Sequence, residues 1–192
     1  TPNANYNGSD QFTVTISDDL GGTTTQVVSL TLNAVDDVAT ITGDTTGFAN
    51  EDNSSTGTII ATDTADGLTD GSYFSVSSDA TNGTATIDAA TGEWSYTPNT
   101  NYDGSDQFTV TVTDDLGGTE TQVVSLNIAN EDDPISIGGN TSGNGLEDNG
   151  AISGIITATA TDGLTDGSYF SVSSDATNGT ATIDAATGEW SY

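Results

Sequence analysis

Residues 107–128, QFTVTVTDDLGGTETQVVSLNI, decide the fold of this chain. Apolar residues alternate with threonine up to the turn DDLGG at 114–118, and the alternation resumes after it. This period-two pattern is typical of strands that bury one face, and a glycine-rich turn between two of them predicts a β-hairpin. The apolar positions are Phe108, Val110, Val112, Val124, Leu126 and Ile128.

Five further strand signals precede this hairpin, and the chain as a whole is rich in threonine and valine, which favour strands. A turn, AATG at residues 89–92, joins the last two signals as a hairpin. About seven short strands at spacings of 8–12 residues predict an all-β, immunoglobulin-like sandwich with Trp94 and Tyr96 in its core. The signals are centred near Ile41, near Ile59, at Phe74 and Val76, at Ala85 and Ile87, and at Trp94 and Tyr96.

The chain repeats itself. Residues 1–14, TPNANYNGSDQFTV, recur at Thr97 as TPNTNYDGSDQFTV, 96 residues later. Residues 67–96 recur without a change at 163–192, with the same offset of 96. Such a period indicates tandem structural units. The 192 residues therefore predict two periods of about seven strands each.

Acidic pairs mark the linkers between repeats. Asp36 and Asp37 follow the last strand of one copy, and Asp132 and Asp133 precede Pro134, which cannot continue strand pairing. We expect residues 1–37 to be the C-terminal strands of a preceding repeat and 38–133 a complete repeat. Residues 134–192 would be the first five strands of a following repeat. Incomplete sets expose apolar faces and open edges, so they need neighbouring strands of the same or an adjacent chain.

Composition excludes several partners. The chain has no lysine, arginine or histidine and 29 acidic residues, a net charge of −29. It therefore lacks the basic stripe that would bind nucleic acid or an anionic membrane surface. No apolar run approaches the roughly 20 residues of a membrane span, so we expect no direct membrane insertion.

The missing residue types also argue against catalysis. Without cysteine and histidine, zinc and copper sites are not expected. Serine nucleophiles would lack a basic side chain, and the carboxylate pairs lie in tight turns, so we predict that the chain is not an enzyme. Clustered carboxylates suit a hard cation such as calcium. The alternative is that the acids only keep the protein soluble.

Strand parity places the acids at the two ends of the sandwich. Loops that face the incoming linker form the leading end, and loops that face the outgoing linker form the trailing end. Acids from three separated stretches converge at each end and would repel one another without a cation. The leading set is Asp36, Asp37, Asp63, Asp66, Asp114 and Asp115; the trailing set is Glu51, Asp52, Asp103, Asp106, Asp132 and Asp133.

Four motifs carry a family resemblance: TGFANEDN at 46–53, ATDTADG at 61–67, TPNTNYDGSDQFTVTVTDDLGGT at 97–119 and NEDDP at 130–134. Together they closely resemble VCBS and cadherin-like repeats, which occur in giant bacterial adhesins of the RTX type. The resemblance covers the whole period twice. It implies calcium at the domain junctions, a secreted chain on the bacterial cell surface, and a role in cell adhesion and biofilm.

The resemblance also implies a set of calcium ligands. The acid after the first strand matches Glu51, the next turn resembles Asp63 and Asp66, and Asp162 matches that turn in the second copy. The junction motif is similar to the linker containing Asn130, Asp132 and Asp133. The sequence departs from the pattern where Thr159 replaces Asp63, and the Leu-Asp-Arg-Glu motif has no equivalent.

Three functions remain open at this point. The leading prediction is a calcium-stiffened extracellular rod that acts as a spacer or surface fibre. The second is a module that binds carbohydrate or a matching repeat. The third is an accessory stalk of a secreted polysaccharide-degrading enzyme. Near-identical neighbouring copies favour the first, because a spacer needs only length.

Overall fold

A computed structural model describes all 192 residues, Thr1–Tyr192, and its regular elements are all strands. The all-β prediction is confirmed, and no helix of the length and hydropathy needed to cross a membrane is present. The chain divides into two units, Thr1–Asn130 and Glu131–Tyr192.

The first unit contains a separate hairpin followed by a sandwich of eight strands. The hairpin strands β1 and β2 pair antiparallel from Gly8 opposite Leu32 to Ser17 opposite Thr23. The strands are β1 (Gly8–Ser17), β2 (Thr23–Leu32), β3 (Thr40–Gly43), β4 (Thr46–Asn50), β5 (Ser55–Thr62), β6 (Phe74–Ser78), β7 (Gly83–Ile87), β8 (Glu93–Pro98), β9 (Gly104–Thr113) and β10 (Thr119–Ala129).

Two four-stranded sheets form the sandwich. One has the order β4-β10-β9-β6 and the other β3-β5-β8-β7. All neighbours are antiparallel except β4 and β10, which run parallel. The predicted hairpins β7–β8 and β9–β10 are both present. The immunoglobulin-like sandwich prediction is therefore confirmed.

The core is built from the alternating positions that the sequence indicates. Trp94 and Tyr96 are 2% and 0% exposed, and Trp94 packs edge-on against Phe108 with ring centroids 5.7 Å apart. Edge-to-face packing of this kind adds to the burial of apolar area. The core side chains are Ala49, Ile59, Phe74, Trp94, Tyr96, Phe108, Val110, Val112, Val124, Leu126 and Ile128.

The structure has one strand more than the predicted seven. The chain crosses from the sheet of β3 to the sheet of β4 at Gly43, whose φ of 99° only glycine adopts readily. A Cβ there would lie 2.3 Å from the carbonyl oxygen of Thr58. Short strands on either side of such a crossing carry too few alternating positions to be resolved from sequence.

The second unit forms one four-stranded sheet of order β11-β12-β14-β13. Sequence predicts five strands here, but residues 170–174, the counterpart of β6, form none. In the first unit β6 pairs with β9, and the second unit contains no counterpart of β9. The strands are β11 (Ser136–Gly139), β12 (Ser153–Thr159), β13 (Thr182–Ile183) and β14 (Glu189–Ser191).

Candidate metal centre at the leading end

Three acids meet at the leading end of the sandwich. One carboxylate oxygen from each of Asp36, Asp66 and Asp114 lies within 4.8 Å of the other two. Asp36 comes from the linker after β2, Asp66 from the β5–β6 loop and Asp114 from the β9–β10 turn. The structure thus brings together half of the predicted leading set, from three separate stretches of chain.

Asp114 is fixed by its turn. Its Oδ1 accepts hydrogen bonds from the amides of Leu116 and Gly118, at 2.8 and 2.9 Å, which is the usual work of aspartate in a turn. The side chain is only 4% exposed, and its Oδ2 is buried without a hydrogen-bond partner. A buried carboxylate oxygen without a donor is costly, so this atom needs either a donated proton or a cation.

Gly118 leaves the space in which the acids approach each other. A Cβ at this position would lie 1.9 Å from Asp36 Oδ1 and 2.5 Å from Asp114 Oδ2. For the corresponding glycine of the β1–β2 turn, Gly22, the three nearest atoms to such a Cβ all belong to Asp18 of its own turn, the first at 2.6 Å. The absence of a side chain at Gly118 therefore lets a linker acid reach the turn.

The cluster is electrostatically strained. The pKa of Asp36 is raised, first by hydrogen-bonding contact with the Asp114 carboxyl, then by burial, then by repulsion from Asp114, Asp66 and Glu120. A raised pKa means that folding favours the protonated acid. The contribution of Asp36 to stability is therefore present at pH below its ordinary pKa and is lost as pH rises through the raised value. At neutral pH the ionised acids repel one another.

The linker is tied to the same loop. The amide of Asp37 donates to Asp66 Oδ2 at 2.5 Å, so the linker backbone is fixed against the acid turn. A hollow of about 230 Å³ opens beside this contact. Its walls come from the end of the hairpin, including Tyr6 and Asn33, and from Asp37 and Asp66.

The donor set fits a hard cation. Every side-chain ligand here is a carboxylate oxygen, and the chain has no lysine, arginine or histidine that could neutralise the cluster. Calcium prefers six to eight oxygen ligands and accepts irregular geometry. The three carboxylates, the partnerless Asp114 Oδ2 and the room left by Gly118 are together compatible with such an ion.

Two other predicted leading residues are held by local contacts outside the three-acid cluster. Asp63 Oδ1 accepts from the amides of Asp66 and Ala65, and these bonds lower its pKa. Asp115 accepts from the Thr69 hydroxyl at 2.6 Å and from the Thr69 amide, and its pKa is lowered as well. Both acids shape the loops that present Asp66 and Asp114.

Within the first unit, the predicted trailing residues differ in burial and in hydrogen-bond partners. Glu51 is 4% exposed, and its amide donates to the Ala129 carbonyl at 2.8 Å. Asp52 Oδ1 accepts from the Asn101 amide at 3.1 Å. Asp103 lies in the loop between β8 and β9, and Asn130 follows β10. Their role as calcium ligands stays a prediction.

The carboxylate of Asp106 is held in place by hydrogen bonds from the surrounding protein. Its carboxylate accepts from the hydroxyl of Tyr96 and from the amides of Thr81, Asn82 and Gln107, at 2.8–3.1 Å. The β6–β7 loop and the two strands β8 and β9 are thereby joined through a single buried acid. Its predicted role as a calcium ligand is not needed to account for these contacts, and it stays a prediction.

The second unit repeats one leading-end contact. The amide of Asp133 donates to Asp162 Oδ2 at 2.8 Å, as that of Asp37 does to Asp66. Asp132 precedes it in the linker. The same linker-to-loop bond in both copies indicates that the sequence of the linker and loop determines it locally.

Sequence reasoning missed Glu120. Its Oε2 is buried without a hydrogen-bond partner, and its charge contributes to the raised pKa of Asp36. Glu120 pairs with Val112 and shares the inward parity of Val124, Leu126 and Ile128. Extending the period-two alternation of β10 back to its first residues would have predicted that Glu120 faces inward.

The fold and the cluster define the class: an immunoglobulin-like β-sandwich with an all-oxygen acid cluster where the linker enters. Residues 1–31 and 36–127 match the Bacterial Ig domain family. These stretches make up more than half of the chain, so the chain belongs to that family. No curated protein sequence matches the chain significantly.

The chain also matches several solved structures at low identity. They include the Protocadherin GammaB4 extracellular domain (15% identity, TM-score 0.44), the human Desmocollin-1 ectodomain (17%, 0.39) and the Escherichia coli adhesin FdeC (14%, 0.32). The matches cover 98%, 94% and 96% of this chain. The chain spans 34%, 39% and 74% of those proteins.

Proposed function

We propose that this chain is a non-catalytic segment of an extracellular repeat rod, stiffened by calcium, that acts as a spacer in a bacterial adhesin or surface fibre. Membership of the Bacterial Ig domain family and the tandem 96-residue period support a structural role on the cell surface. The motifs shared with VCBS and cadherin-like repeats favour an adhesin of the RTX type. One observation carries the calcium assignment: the buried, partnerless Oδ2 of Asp114 beside Asp36 and Asp66.

The proposed mechanism depends on where the three acids originate. Asp36 belongs to the linker that follows the preceding hairpin, whereas Asp66 and Asp114 belong to loops of the sandwich. A bound calcium ion would supply positive charge and a common ligand centre for all three. The Asp37 amide already ties the linker to Asp66, so neutralising the acids would remove the repulsion that opposes this contact.

Calcium titration with a matched pair of variants tests the site. In Asp114→Asn the amide oxygen still accepts from the Leu116 and Gly118 amides, while an NH2 group, which cannot ligate calcium, replaces Oδ2. Extracellular calcium modules bind at about 10⁻⁴–10⁻³ M. We expect calorimetry to show binding in that range for the unmodified chain and at least about tenfold weaker binding for Asp114→Asn.

The matched control is Asp18→Asn in the hairpin turn. Asp18 Oδ1 accepts from the amides of Leu20 and Gly22 in the same way, but Asp18 belongs to no group of three acids whose oxygens lie within 4.8 Å of one another. The affinity of Asp18→Asn for calcium should equal that of the unmodified chain. Equal heats for Asp114→Asn and Asp18→Asn, or no calcium heat in any of the three proteins, would leave the acids as solubilising charge.

Glycine replacement gives a second prediction. Gly118→Ala places a methyl group where Asp36 Oδ1 lies, so the linker acid must move away from the cluster. We expect calcium affinity to fall at least about tenfold while calcium-free stability changes little, since the linker moves and the core does not. Gly22→Ala is the control, because the atoms nearest to its methyl group belong to Asp18 of the same turn and not to a linker acid. A change in calcium affinity of similar size in both variants would contradict the steric explanation.

Stiffening is measured by small-angle scattering of this chain in millimolar calcium and then in chelator, at concentrations where light scattering reports single chains. We expect the maximum dimension to fall on chelation in the unmodified chain and to be insensitive to calcium in Asp114→Asn. Saturation at 100 times the dissociation constant should also stabilise the fold by about 2.7 kcal/mol per site. If calorimetry shows calcium binding but the scattering profile does not change, the stiffening mechanism is wrong and the calcium site still stands.

A further inference from the structure

We propose that the pair Asn149–Gly150 is a site of spontaneous chemical modification, at which the asparagine loses its side-chain amide and becomes an aspartyl or isoaspartyl residue. The reaction goes beyond the calcium rod and requires no cation. It is fastest at Asn-Gly pairs, because glycine has no Cβ to hinder the approach of its backbone nitrogen. The chain has five such pairs, and the structure favours one of them. They begin at Asn7, Asn82, Asn144, Asn149 and Asn178.

The reaction takes place within the chain. The deprotonated backbone nitrogen of Gly150 attacks Cγ of Asn149, a new C–N bond forms, and the side-chain nitrogen leaves as ammonia with the proton lost from Gly150. Water then opens the five-membered ring at one of its two carbonyl carbons. If the new C–N bond breaks, the product is aspartate. If the original peptide bond breaks, the product is isoaspartate, in which the main chain runs through the side-chain carbon. Solvent water is the only co-reactant.

Both reacting groups of this pair are free. The side-chain amide of Asn149 makes no hydrogen bond, whereas that of Asn53, at the same repeat position, donates to the Glu51 carbonyl at 3.0 Å. Gly150 lies outside every strand, and its amide donates to no other backbone group. Apart from its chain neighbours, nothing lies within 4 Å of the position that a Cβ on Gly150 would take. The peptide unit that joins the two residues therefore has room to rotate into the geometry of ring closure.

The turn that contains the pair is exposed in both repeats. Asp148 has a φ of 61° and Asp52 a φ of 59°, so the two turns share this unusual backbone conformation. Asn53 and Ser54 are exposed in the first unit, where all eight strands of the sandwich are present. The accessibility of Asn149 is therefore a property of the turn itself.

The pair Asn82–Gly83 is held by the sandwich. The backbone amide of Asn82 donates to Asp106 at 2.8 Å, and its carbonyl accepts from the Asn99 amide at 2.8 Å. A Cβ on Gly83 would lie 2.5 Å from the ring of Tyr96. The peptide unit of this pair therefore cannot rotate unless the surrounding strands and loops open.

The three remaining pairs are restrained as well. Gly8 is paired with Leu32 as the first residue of β1. A Cβ on Gly145 would lie 2.7 Å from the side chain of Ile152, and the Asn178 carbonyl accepts from a tyrosine hydroxyl at 2.8 Å. Each of these pairs must open locally before it can react, and the free energy of that opening lowers the rate.

The modification adds charge to a turn that is already acidic. Glu147 and Asp148 precede Asn149, so the product has three neighbouring carboxylates and one more negative charge than the −29 of the unmodified chain. The isoaspartyl product also lengthens the main chain by one carbon shortly before β12 begins at Ser153. The turn therefore changes in charge and in backbone length as the chain ages, without the action of an enzyme.

The test incubates the full chain in calcium-free, mildly alkaline buffer and follows deamidation by mass spectrometry. Cleavage before aspartate releases residues 148–161, a fragment whose sequence occurs once in the chain. We expect this fragment to deamidate at least about tenfold faster than any fragment with another Asn-Gly pair, because those pairs must first open. Chromatography should resolve its product into aspartyl and isoaspartyl forms. In denaturant the five pairs should react at similar rates, because only the fold restrains four of them.

Two glycine variants test the role of Gly150. Gly150→Ser introduces the residue that the first repeat has at Ser54, and its Cβ should slow deamidation of Asn149 at least about tenfold. Gly71→Ser is the control, because Gly71 also has a positive φ and open surroundings but does not follow an asparagine. It should leave the rate at residues 148–161 unchanged. Equal rates at all five pairs in the folded chain, or an unchanged rate in Gly150→Ser, would overturn the proposal. These measurements involve no calcium, so they leave the proposed function to its own test.

Discussion

Phe108→Ala is expected to lower the free energy of unfolding of the complete sandwich by about 3–5 kcal/mol. The Phe108 ring is 1% exposed and packs against Trp94 between the two sheets, so its removal leaves a cavity lined by fixed strands. Domains of this size are stable by only about 5–15 kcal/mol. A loss of this size would therefore take a large share of the total stability.

The repeat supplies a matched control for this variant. Phe12 lies in the same local sequence, SDQFTV, but is 52% exposed in the hairpin. Phe12→Ala should change the unfolding free energy of the sandwich by less than about 0.5 kcal/mol. Denaturant unfolding followed by Trp94 fluorescence, in a Trp190→Phe background, compares the two variants. Similar losses at Phe108 and Phe12 would contradict the assignment of β9, and not β1, to the sandwich core.

Asp106→Ala is expected to cost about 3 kcal/mol and to lower the melting temperature of the sandwich by roughly 10–20 °C. The substitution leaves the buried Tyr96 hydroxyl and the partly buried amides of Thr81 and Asn82 without their acceptor. Asp10→Ala removes the same residue from the hairpin, where the only hydrogen bond recorded for it is to the adjacent Gln11 amide. That control should leave the melting temperature within a few degrees of its original value.

The pH dependence identifies the charge as the cause. Burial by itself raises the pKa of Asp106, but hydrogen bonds from the Asn82, Thr81 and Gln107 amides and from the Tyr96 hydroxyl outweigh burial and lower it. Stability from this acid is thus present above its ordinary pKa of about 3.9 and is lost as pH falls through the lowered value. Melting curves between pH 7 and 2 should show a smaller acid-dependent loss in Asp106→Ala. If the melting temperatures of the unmodified chain and of Asp106→Ala change with pH in parallel, the destabilisation comes from packing alone.

Alternation along the strands was sufficient to predict the sandwich. The apolar inward positions of β9 and β10 are all buried, as the period-two pattern requires: Phe108, Val110, Val112, Val124, Leu126 and Ile128. Strand parity also placed Asp36, Asp66 and Asp114 at one end, because loops that alternate along a sandwich alternate between its ends. These features follow from local periodicity and from the order of the strands, both of which a single sequence contains.

The sequence did not predict which side chains form hydrogen bonds or close contacts with one another. The sequence does not show that Asp106 is held by four donors while Asp114 Oδ2 has none. The difference arises from which loops pack over each acid. The close approach of Asp36 to Asp114 likewise depends on the space at Gly118, which lies far from Asp36 in sequence.

The two identical segments separate what the sequence determined from what the tertiary structure decided. Residues 67–96 and 163–192 share every residue, and both form the same hairpin. In its turn the amide of Thr91 or Thr187 donates to the aspartate three residues earlier, Asp88 or Asp184. The sequence alone therefore determines these local turns. Phe74–Ser78 nevertheless forms β6, whereas residues 170–174 form no strand. A strand at a sheet edge exists only when a neighbour accepts its backbone hydrogen bonds and covers its apolar side chains. β9 does this for β6, and the second unit has no strand that does it for residues 170–174.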